Sequence, residues 1–245
     1  MNLPLLFRVS RVVLNNLRVG FCESLVSTLS AHIAGKVLGL AKPLHKRFRN
    51  QKIELFLSLV RANGGGGRLL DIGGGSGIDG EFLSLYKHFD EVAVVNLTPQ
   101  PIVAPTGVVL KTLVADGRNL PFDVRSFDWV FSNAVIEHVG AWSEQQRFAS
   151  EIRRVASRGY FVTTPNKFFP IEPHTMLPFY QFLPLPIQKK VAPFSPGYLR
   201  EYEEIHLVSR AQMKTLFPEA RILPIGFPVL GNSLMAYHSR PKSGF

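Results

Sequence analysis

Residues 68–83 read RLLDIGGGSGIDGEFL and combine a strand, a glycine turn and the start of a helix. Arg68 to Ile72 is a short apolar run typical of a buried strand, and Gly73 to Gly77 predict a turn too tight for side chains. Ile78 to Tyr86 have the pattern of the helix that follows. Glycines let the backbone approach a ligand closely, and a helix start offers free N–H groups. The stretch therefore predicts where a nucleotide-like cofactor binds.

The glycine spacing in this turn fits more than one interpretation. Gly73, Gly75 and Gly77 give the GxGxG of a methyltransferase, whereas Gly75, Gly77 and Gly80 give the GxGxxG of a dinucleotide-binding fold. A strand-to-helix turn without a ligand also uses glycines. The spacing alone leaves these three interpretations open.

Further apolar runs recur along the chain with helical stretches between them, such as Glu144 to Val155. This alternation predicts βαβ units and therefore an α/β fold with a parallel sheet. The carboxyl ends of parallel strands converge on one ligand crevice, so we expect the polar residues after each strand to lie together. The predicted later strands are Glu91 to Asn96, Val108 to Leu113, Ser126 to Ser132 and Gly159 to Thr164.

The chain resembles the class I S-adenosylmethionine-dependent methyltransferases, and in particular their small-molecule branch called methyltransferase type 11. The resemblance covers about residues 51 to 239 and rests on motifs in the family's order, namely LDIGGGSG, ADGRNLPF, SFDWVFSNAVIEHV, EIRRV with GYFVTTPN, and NSLMAYH. It implies a Rossmann-like, doubly wound, mostly parallel seven-stranded sheet. It also implies a methyltransferase domain at 51–245 that carries an inserted substrate cover at 165–200, after an N-terminal helical extension at 1–50.

The resemblance implies S-adenosylmethionine as cofactor and assigns residues to it. The acid of the first strand, here Asp71, helps orient the methionine end, and the acid after the third strand, here Asp116, hydrogen-bonds the adenine amine. From the residues alone, Asp71 could instead cap a turn and Asp116 could form an Asx turn. The other positions implied to contact the cofactor are Gly73, Gly75, Gly77, Gly117, Asn133 and Ala134.

Asn96 and Leu97, at the end of the second strand, are further candidates for binding the cofactor, and Asn96 departs from the family pattern. This position is usually an acid that binds both ribose hydroxyls. An amide can accept a proton from one hydroxyl and donate to the other oxygen, so we expect Asn96 to bind the ribose more weakly. The missing acid also counts against NAD, and the absence of a nearby arginine in VVNLTPQP counts against NADP.

Positive charge is concentrated at the N-terminus. Residues 1–52 contain nine lysines and arginines against Glu23 alone, a net +8 of the chain's +10. Arg8, Arg11 and Arg18 fall on one predicted helical face, with apolar residues on another. Such a basic amphipathic helix can bind an anionic membrane surface, act as a targeting segment, or pack over the cofactor crevice, which is the interpretation we favour. The confined charge argues against a nucleic-acid partner.

Cysteine usage and length limit the class of protein. Cys22 is the one cysteine of 245 residues, so no disulfide can form within the chain and a cytoplasmic, reducing setting is expected. No Cys/His spacing for structural zinc is present, and we expect no metal. The length suits one catalytic domain. The oligomeric state does not follow from the sequence.

Pro165 to Pro196 contain eight prolines and six aromatic residues in 32 positions. Proline prevents a long regular helix or a central strand, yet the segment is too apolar to remain loose in water. Because it follows the fifth strand, we expect it to cover the crevice. An aromatic cover indicates an acceptor with a lipid-like or aromatic portion, unless the cover only shields the sheet.

Two histidines are candidates for a general base. His138 follows the fourth strand beside Glu137, and His174 lies in IEPHT beside Glu172. A base is needed only when the acceptor must lose a proton, and a hydrogen-bonded structural role is the alternative for both residues. We predict a methyltransferase that acts on a small or lipid-linked acceptor. The alternatives are an NAD(P)-dependent oxidoreductase and a non-catalytic cofactor-binding regulatory subunit.

Overall fold

A seven-stranded sheet is present in the structure, a computed structural model that describes residues 43–44, 46–75, 82–102, 104–197, 199, 201–227 and 230–240. Its strands are β1 Arg68–Ile72, β2 Glu91–Asn96, β3 Val109–Val114, β4 Phe127–Asn133, β5 Ala156–Pro165, β6 Arg221–Ile225 and β7 Ser233–Ser239. The order is β3-β2-β1-β4-β5-β7-β6. The first five are parallel, and β7 is antiparallel to β5 and β6. The predicted doubly wound fold is confirmed.

Strand ends differ from the predicted ones for a tertiary reason. The fifth strand is predicted from Gly159 to Thr164, but β5 runs from Ala156 to Pro165, because Ala156 pairs with Phe127 of β4 and Pro165 pairs with Ser233 of β7. The third strand lies one residue later than predicted. It is one of the two edge strands and is largely exposed, so its apolar pattern is weak.

Two apolar cores lie on opposite faces of the sheet. Successive strand residues point to opposite faces, so Trp129 and Phe131 of β4 enter one core while Val130 enters the other. Phe56 of the helix over residues 46–62, here α1, packs at the first face, with ring centroids 5.9 Å from Trp129 and 5.2 Å from Phe131. The helix α3, Trp142–Val155, supplies Phe148 to the second face. Helices on both faces follow from strands that are apolar on both sides.

The helices of the described residues are short apart from two. After α1 come α2 Leu83–Tyr86, α3 Trp142–Val155, α4 Leu185–Val191 and α5 Arg210–Leu216. The predicted helix at Glu144 to Val155 is confirmed and begins two residues earlier. Of the predicted helix from Ile78 to Tyr86, residues 78–81 lie outside the described residues.

The chain contains two compact units. One comprises residues 45–170 and 203–245 and includes the whole sheet, and the other includes residues 171–202. The predicted basic helix of the N-terminus falls in residues 1–42, outside the described residues. Among the helices that the structure describes, none is long and apolar enough to cross a membrane. The division into a head, a domain and a cover stays a prediction.

Candidate functional site

A cavity of about 290 Å³ lies at the carboxyl ends of β1, β2 and β3, where an open α/β sheet binds its ligand. Its walls are largely apolar, and a few polar side chains lie among them, which is typical of cofactor sites. The lining residues are Ile72, Gly73, Val95, Asn96, Leu97, Thr98, Ala115, Asp116, Gly117, Arg118, Val135, His138, Val139 and Phe148.

The predicted site residues differ in whether they line this cavity. Six of them line it, namely Gly73, Asn96, Leu97, Asp116, Gly117 and His138. Four are described but do not line it, namely Asp71, Gly75, Asn133 and Ala134. Gly77 lies outside the described residues, and His174 belongs to the unit that includes residues 171–202.

Glycine is required at two lining positions because the backbone is closely packed. Gly73 has φ +81°, and its N–H donates to the Val95 carbonyl at 2.8 Å. A Cβ on Gly73 would collide with the Val135 side chain. A Cβ on Gly117 would lie 2.6 Å from the Phe148 ring. Both glycines therefore bring the backbone to the cavity wall where a side chain would displace a neighbour.

Asp71 is buried behind the glycine turn and is hydrogen-bonded to a residue that the sequence analysis missed. The Tyr86 hydroxyl of α2 donates to Asp71 Oδ2 at 2.7 Å. Burial raises the pKa of the Asp71 carboxyl to about 7, although the Tyr86 hydrogen bond opposes this shift. A Cβ on Gly74 would collide with the Asp71 carboxylate. Asp71 thus supports the turn from below.

Asn96 joins the end of β2 to the glycine turn. Its Nδ2 donates to the Gly74 carbonyl, so one of its two amide hydrogens is engaged within the protein. Because Asn96 also lines the cavity, its side chain can contact a ligand and the turn together. The next residue, Leu97, exposes 69% of its surface, and it is an apolar part of the cavity rim.

Asp116 is held by Arg118, a second residue that the sequence analysis missed. Arg118 Nε donates to Asp116 at 2.9 Å and Nη2 donates to Oδ2 at 2.6 Å. These hydrogen bonds keep the pKa of the Asp116 carboxyl below its usual value. The Arg118 N–H also donates to Asp116 Oδ1 at 2.9 Å, as in an Asx turn. The guanidinium in turn donates to the Val139 carbonyl at 3.1 Å and lies 3.2 Å from Glu144.

Asn133, the last residue of β4, is hydrogen-bonded to side chains from two other elements of the same unit. Its Oδ1 accepts from Lys52 Nζ of α1 at 2.9 Å and from Thr163 Oγ1 at 2.7 Å. Ala134 follows with φ +54°, an uncommon conformation for a residue with a Cβ, and its N–H donates to the Thr163 carbonyl at 2.9 Å. The turn after β4 is therefore fixed before the chain reaches the cavity at Val135.

The two candidate bases have different surroundings. His138 is half-buried, lines the cavity and has its Nδ1 3.5 Å from Glu203. His174 is buried, and its Nδ1 is hydrogen-bonded to Glu172. Burial opposes ionisation of Glu172, but hydrogen bonds from His174 and Thr175 outweigh it and lower the pKa of the carboxyl. His138 also lies near its neighbouring glutamate, with 4.0 Å between His138 Nε2 and Glu137.

Solved structures share this fold at low sequence identity. Magnesium protoporphyrin IX methyltransferase (ChlM) from Synechocystis PCC 6803, solved with S-adenosylhomocysteine, is 15% identical with a TM-score of 0.55, over 80% of this chain and 84% of that one. N-methyltransferase NodS from Bradyrhizobium japonicum WM9, also with S-adenosylhomocysteine, is 10% identical with a TM-score of 0.52, over 80% and 88%. No curated protein matches the chain significantly.

A family match covers the strands that carry the cavity. Residues 70–163 match the type 11 family described as "Methyltransferase domain". The matched segment begins in β1, ends in β5 and contains every residue that lines the cavity. The chain therefore carries, at residues 70–163, a domain of the type 11 family of S-adenosylmethionine-dependent methyltransferases.

Proposed function

We propose that the cavity at the ends of β1, β2 and β3 binds S-adenosylmethionine and that the protein transfers its methyl group to a small or lipid-linked acceptor. The observation that carries this proposal is the cavity itself. It unites Gly73, Asn96 and Asp116, residues from three different strand ends, within the family-matching segment. Both relatives described above were solved with S-adenosylhomocysteine, the product of methyl transfer.

The residues present fit this cofactor. Apolar side chains such as Val95, Val139 and Phe148 offer a face for the adenine ring, while Asn96 and Asp116 supply the polar contacts. Asn96 Oδ1 would accept from a ribose hydroxyl, and Asp116 would accept from the adenine amine, with the Gly117 peptide beside it. A carboxylate has about four acceptor sites, and three N–H groups of Arg118 donate to Asp116, so about one site is left for the amine.

The remaining assignments concern the methionine end and the turn after β4. The glycine turn, of which Gly73 lines the cavity, would hold the methionine portion, and Asp71 would act on it by fixing the turn from the buried side. Asn133 and Ala134 shape the wall next to Val135. The hydrogen bond of Tyr86 with Asp71 and that of Lys52 with Asn133 support these positions.

The chain's own work in methyl transfer is orientation, exclusion of water and proton removal. The sulfonium methyl of the cofactor is already an activated electrophile, so the acceptor needs in-line placement more than further activation. An acceptor that loses a proton on attack requires a base. We assign this role to His138 or His174, of which His138 lines the cavity. Glu203 lies near His138, and Glu172 is hydrogen-bonded to His174.

Two experiments test this function. Calorimetry with S-adenosylmethionine, S-adenosylhomocysteine, NAD and NADP separates the methyltransferase from the oxidoreductase alternative, and we expect binding of the first two alone. Incubation with cofactor carrying a tritiated methyl group, together with a lipid extract or a water-soluble extract of host cells, identifies the acceptor class. If the protein binds S-adenosylhomocysteine but neither extract takes up label, the result would instead support the non-catalytic subunit.

A further inference from the structure

Apolar side chains are concentrated on the surface of the unit that includes residues 171–202. Five of them within sixteen positions each expose between 44% and 61% of their surface, namely Phe179, Phe182, Leu185, Ile187 and Phe194. We call these five side chains the apolar patch. Scattered single apolar residues are normal on a protein surface, whereas a concentration of this kind marks an interaction site.

The backbone that carries the apolar patch has few N–H groups that still need a hydrogen-bond acceptor. Prolines at 178, 184, 186, 193 and 196 have no N–H. Local turns engage others, since Phe182 N–H donates to the Phe179 carbonyl at 3.0 Å and Ile187 N–H to the Pro184 carbonyl at 2.8 Å. Unsatisfied backbone donors are costly in a lipid environment. This segment can therefore enter a lipid environment more readily than an ordinary loop can.

Phe179 adds a conformational observation. Its φ is +56°, the left-handed region that is rarely adopted by a bulky residue, and its ring is nevertheless exposed. Backbone strain of this kind persists where the surroundings impose it and is common at binding sites. The fold thus holds Phe179 in a strained conformation that exposes its aromatic ring at the protein surface.

The segment that carries the apolar patch is basic, although Glu172 and Glu201 flank it. The sequence has no aspartate or glutamate from residue 173 to residue 200, and it has Lys189, Lys190 and Arg200. The two lysines are exposed in the last turn of α4, where Lys189 also lies 5.4 Å from the Tyr202 ring centroid. Basic residues beside exposed apolar ones complement an anionic lipid surface.

The arrangement of α4 favours lipid over a protein partner. Leu185 and Ile187 are two residues apart, so they project from opposite sides of the helix. All seven residues of α4 are described, and none of them is buried. A single protein face could cover only one of these sides, whereas fluid lipid can surround both.

We infer that the apolar patch inserts into the interface of an anionic bilayer, with Lys189 and Lys190 at the headgroups. The inference deepens the proposed function, because it places the enzyme where a lipid-linked acceptor resides. The occupant is a bilayer surface, which agrees with the lack of a membrane-crossing helix among the described residues.

Vesicle co-sedimentation of the whole 245-residue chain tests this inference. We expect binding to vesicles of phosphatidylcholine with phosphatidylglycerol, weak binding to phosphatidylcholine alone, and release as salt increases. The variant Phe179→Ser/Phe182→Ser/Phe194→Ser should bind at least about tenfold more weakly, since it removes the apolar area that would be buried. Lys189→Glu/Lys190→Glu should weaken binding by about fivefold or more per lysine and reduce the salt dependence.

Matched controls separate this result from unfolding and from the proposed function. Val109→Ser/Val124→Ser changes exposed apolar residues of the other unit, and Lys87→Glu changes an exposed lysine there, so both should bind vesicles like the parent chain. All variants should retain affinity for S-adenosylhomocysteine. If the parent chain does not bind S-adenosylhomocysteine, the proposed function is overturned, whereas the inference about the bilayer is not. Equal vesicle binding by parent and triple-serine chains, or a parent dimer that the triple variant dissociates, overturns the inference.

Discussion

The Tyr86 hydroxyl lies 2.7 Å from Asp71 Oδ2 in the interior, directly behind the glycine turn. The two side chains come from α2 and β1, so this hydrogen bond joins the elements on either side of the turn. Because both groups are buried, the bond affects both the position of the turn and the titration of the carboxyl.

The first prediction concerns the stability of this pair. Tyr86→Phe removes a donor from a buried carboxylate and should lower the free energy of unfolding by about 1 to 3 kcal/mol near pH 8, where Asp71 is ionised. Denaturant unfolding measures the change. Tyr160→Phe is the matched control, since it removes a hydroxyl 2.9 Å from the more exposed Glu219. An equal effect of both substitutions would contradict a special role of the buried pair.

The pKa of Asp71 leads to a second prediction. Burial raises this pKa to about 7 in the folded protein, well above the usual value of about 3.9 for an aspartate. The folded state therefore holds the proton that the unfolded state releases, and Asp71's contribution to stability decreases as pH rises from about 4 to about 7. Asp71→Asn should flatten the stability profile in this window. Unfolding curves across this pH range, with Asp90→Asn as the exposed control, check the expectation; an unchanged slope would contradict it.

The third prediction tests the adenine contact. Asp116→Ala should weaken binding of S-adenosylhomocysteine about ten- to hundredfold, because a hydrogen bond to a charged acceptor contributes about 1.5 to 3 kcal/mol. Asp116→Asn keeps a carbonyl acceptor and should lose less. Calorimetry measures both, and Asp90→Ala, at an exposed position outside the cavity lining, should bind normally. Unchanged affinity in Asp116→Ala would remove this residue from the site.

The fourth prediction separates two roles of Asn96. Its Nδ2 donates to the Gly74 carbonyl, and neither aspartate nor alanine can replace that donor. Aspartate, however, keeps an acceptor for the ribose. We expect Asn96→Asp to bind S-adenosylhomocysteine more tightly than Asn96→Ala, as measured by calorimetry. If the two variants lose the same affinity, Asn96 acts only by holding the turn.

The fifth prediction concerns the basic N-terminus, which is known from the sequence alone. If this segment binds a membrane instead of packing over the crevice, Arg8→Glu/Arg11→Glu/Arg18→Glu in the 245-residue chain should weaken binding to anionic vesicles, since each basic residue near the surface contributes about 1 kcal/mol. Co-sedimentation at low and high salt measures the effect. The control Arg61→Glu changes an exposed arginine of α1. Undiminished vesicle binding would favour a helix that packs over the active site.

The sequence alone determined the order of elements and the places where the ligand-binding residues occur. Glycines at 73 and 117 and polar residues after the strands are local signals, because each reflects a backbone conformation or a strand end set by near neighbours. The parallel fold then brings these strand ends together. Six of the predicted residues line the cavity for this reason.

Only the tertiary structure decided which side chains hold these residues in place. Lys52 and Asn133 are 81 positions apart, and no spacing rule predicts their hydrogen bond. Tyr86 reaches Asp71 only after α2 packs on the sheet, and the extension of β5 to Pro165 depends on pairing with β7. Such contacts arise from burial and packing between distant segments, which a local pattern of residues does not encode.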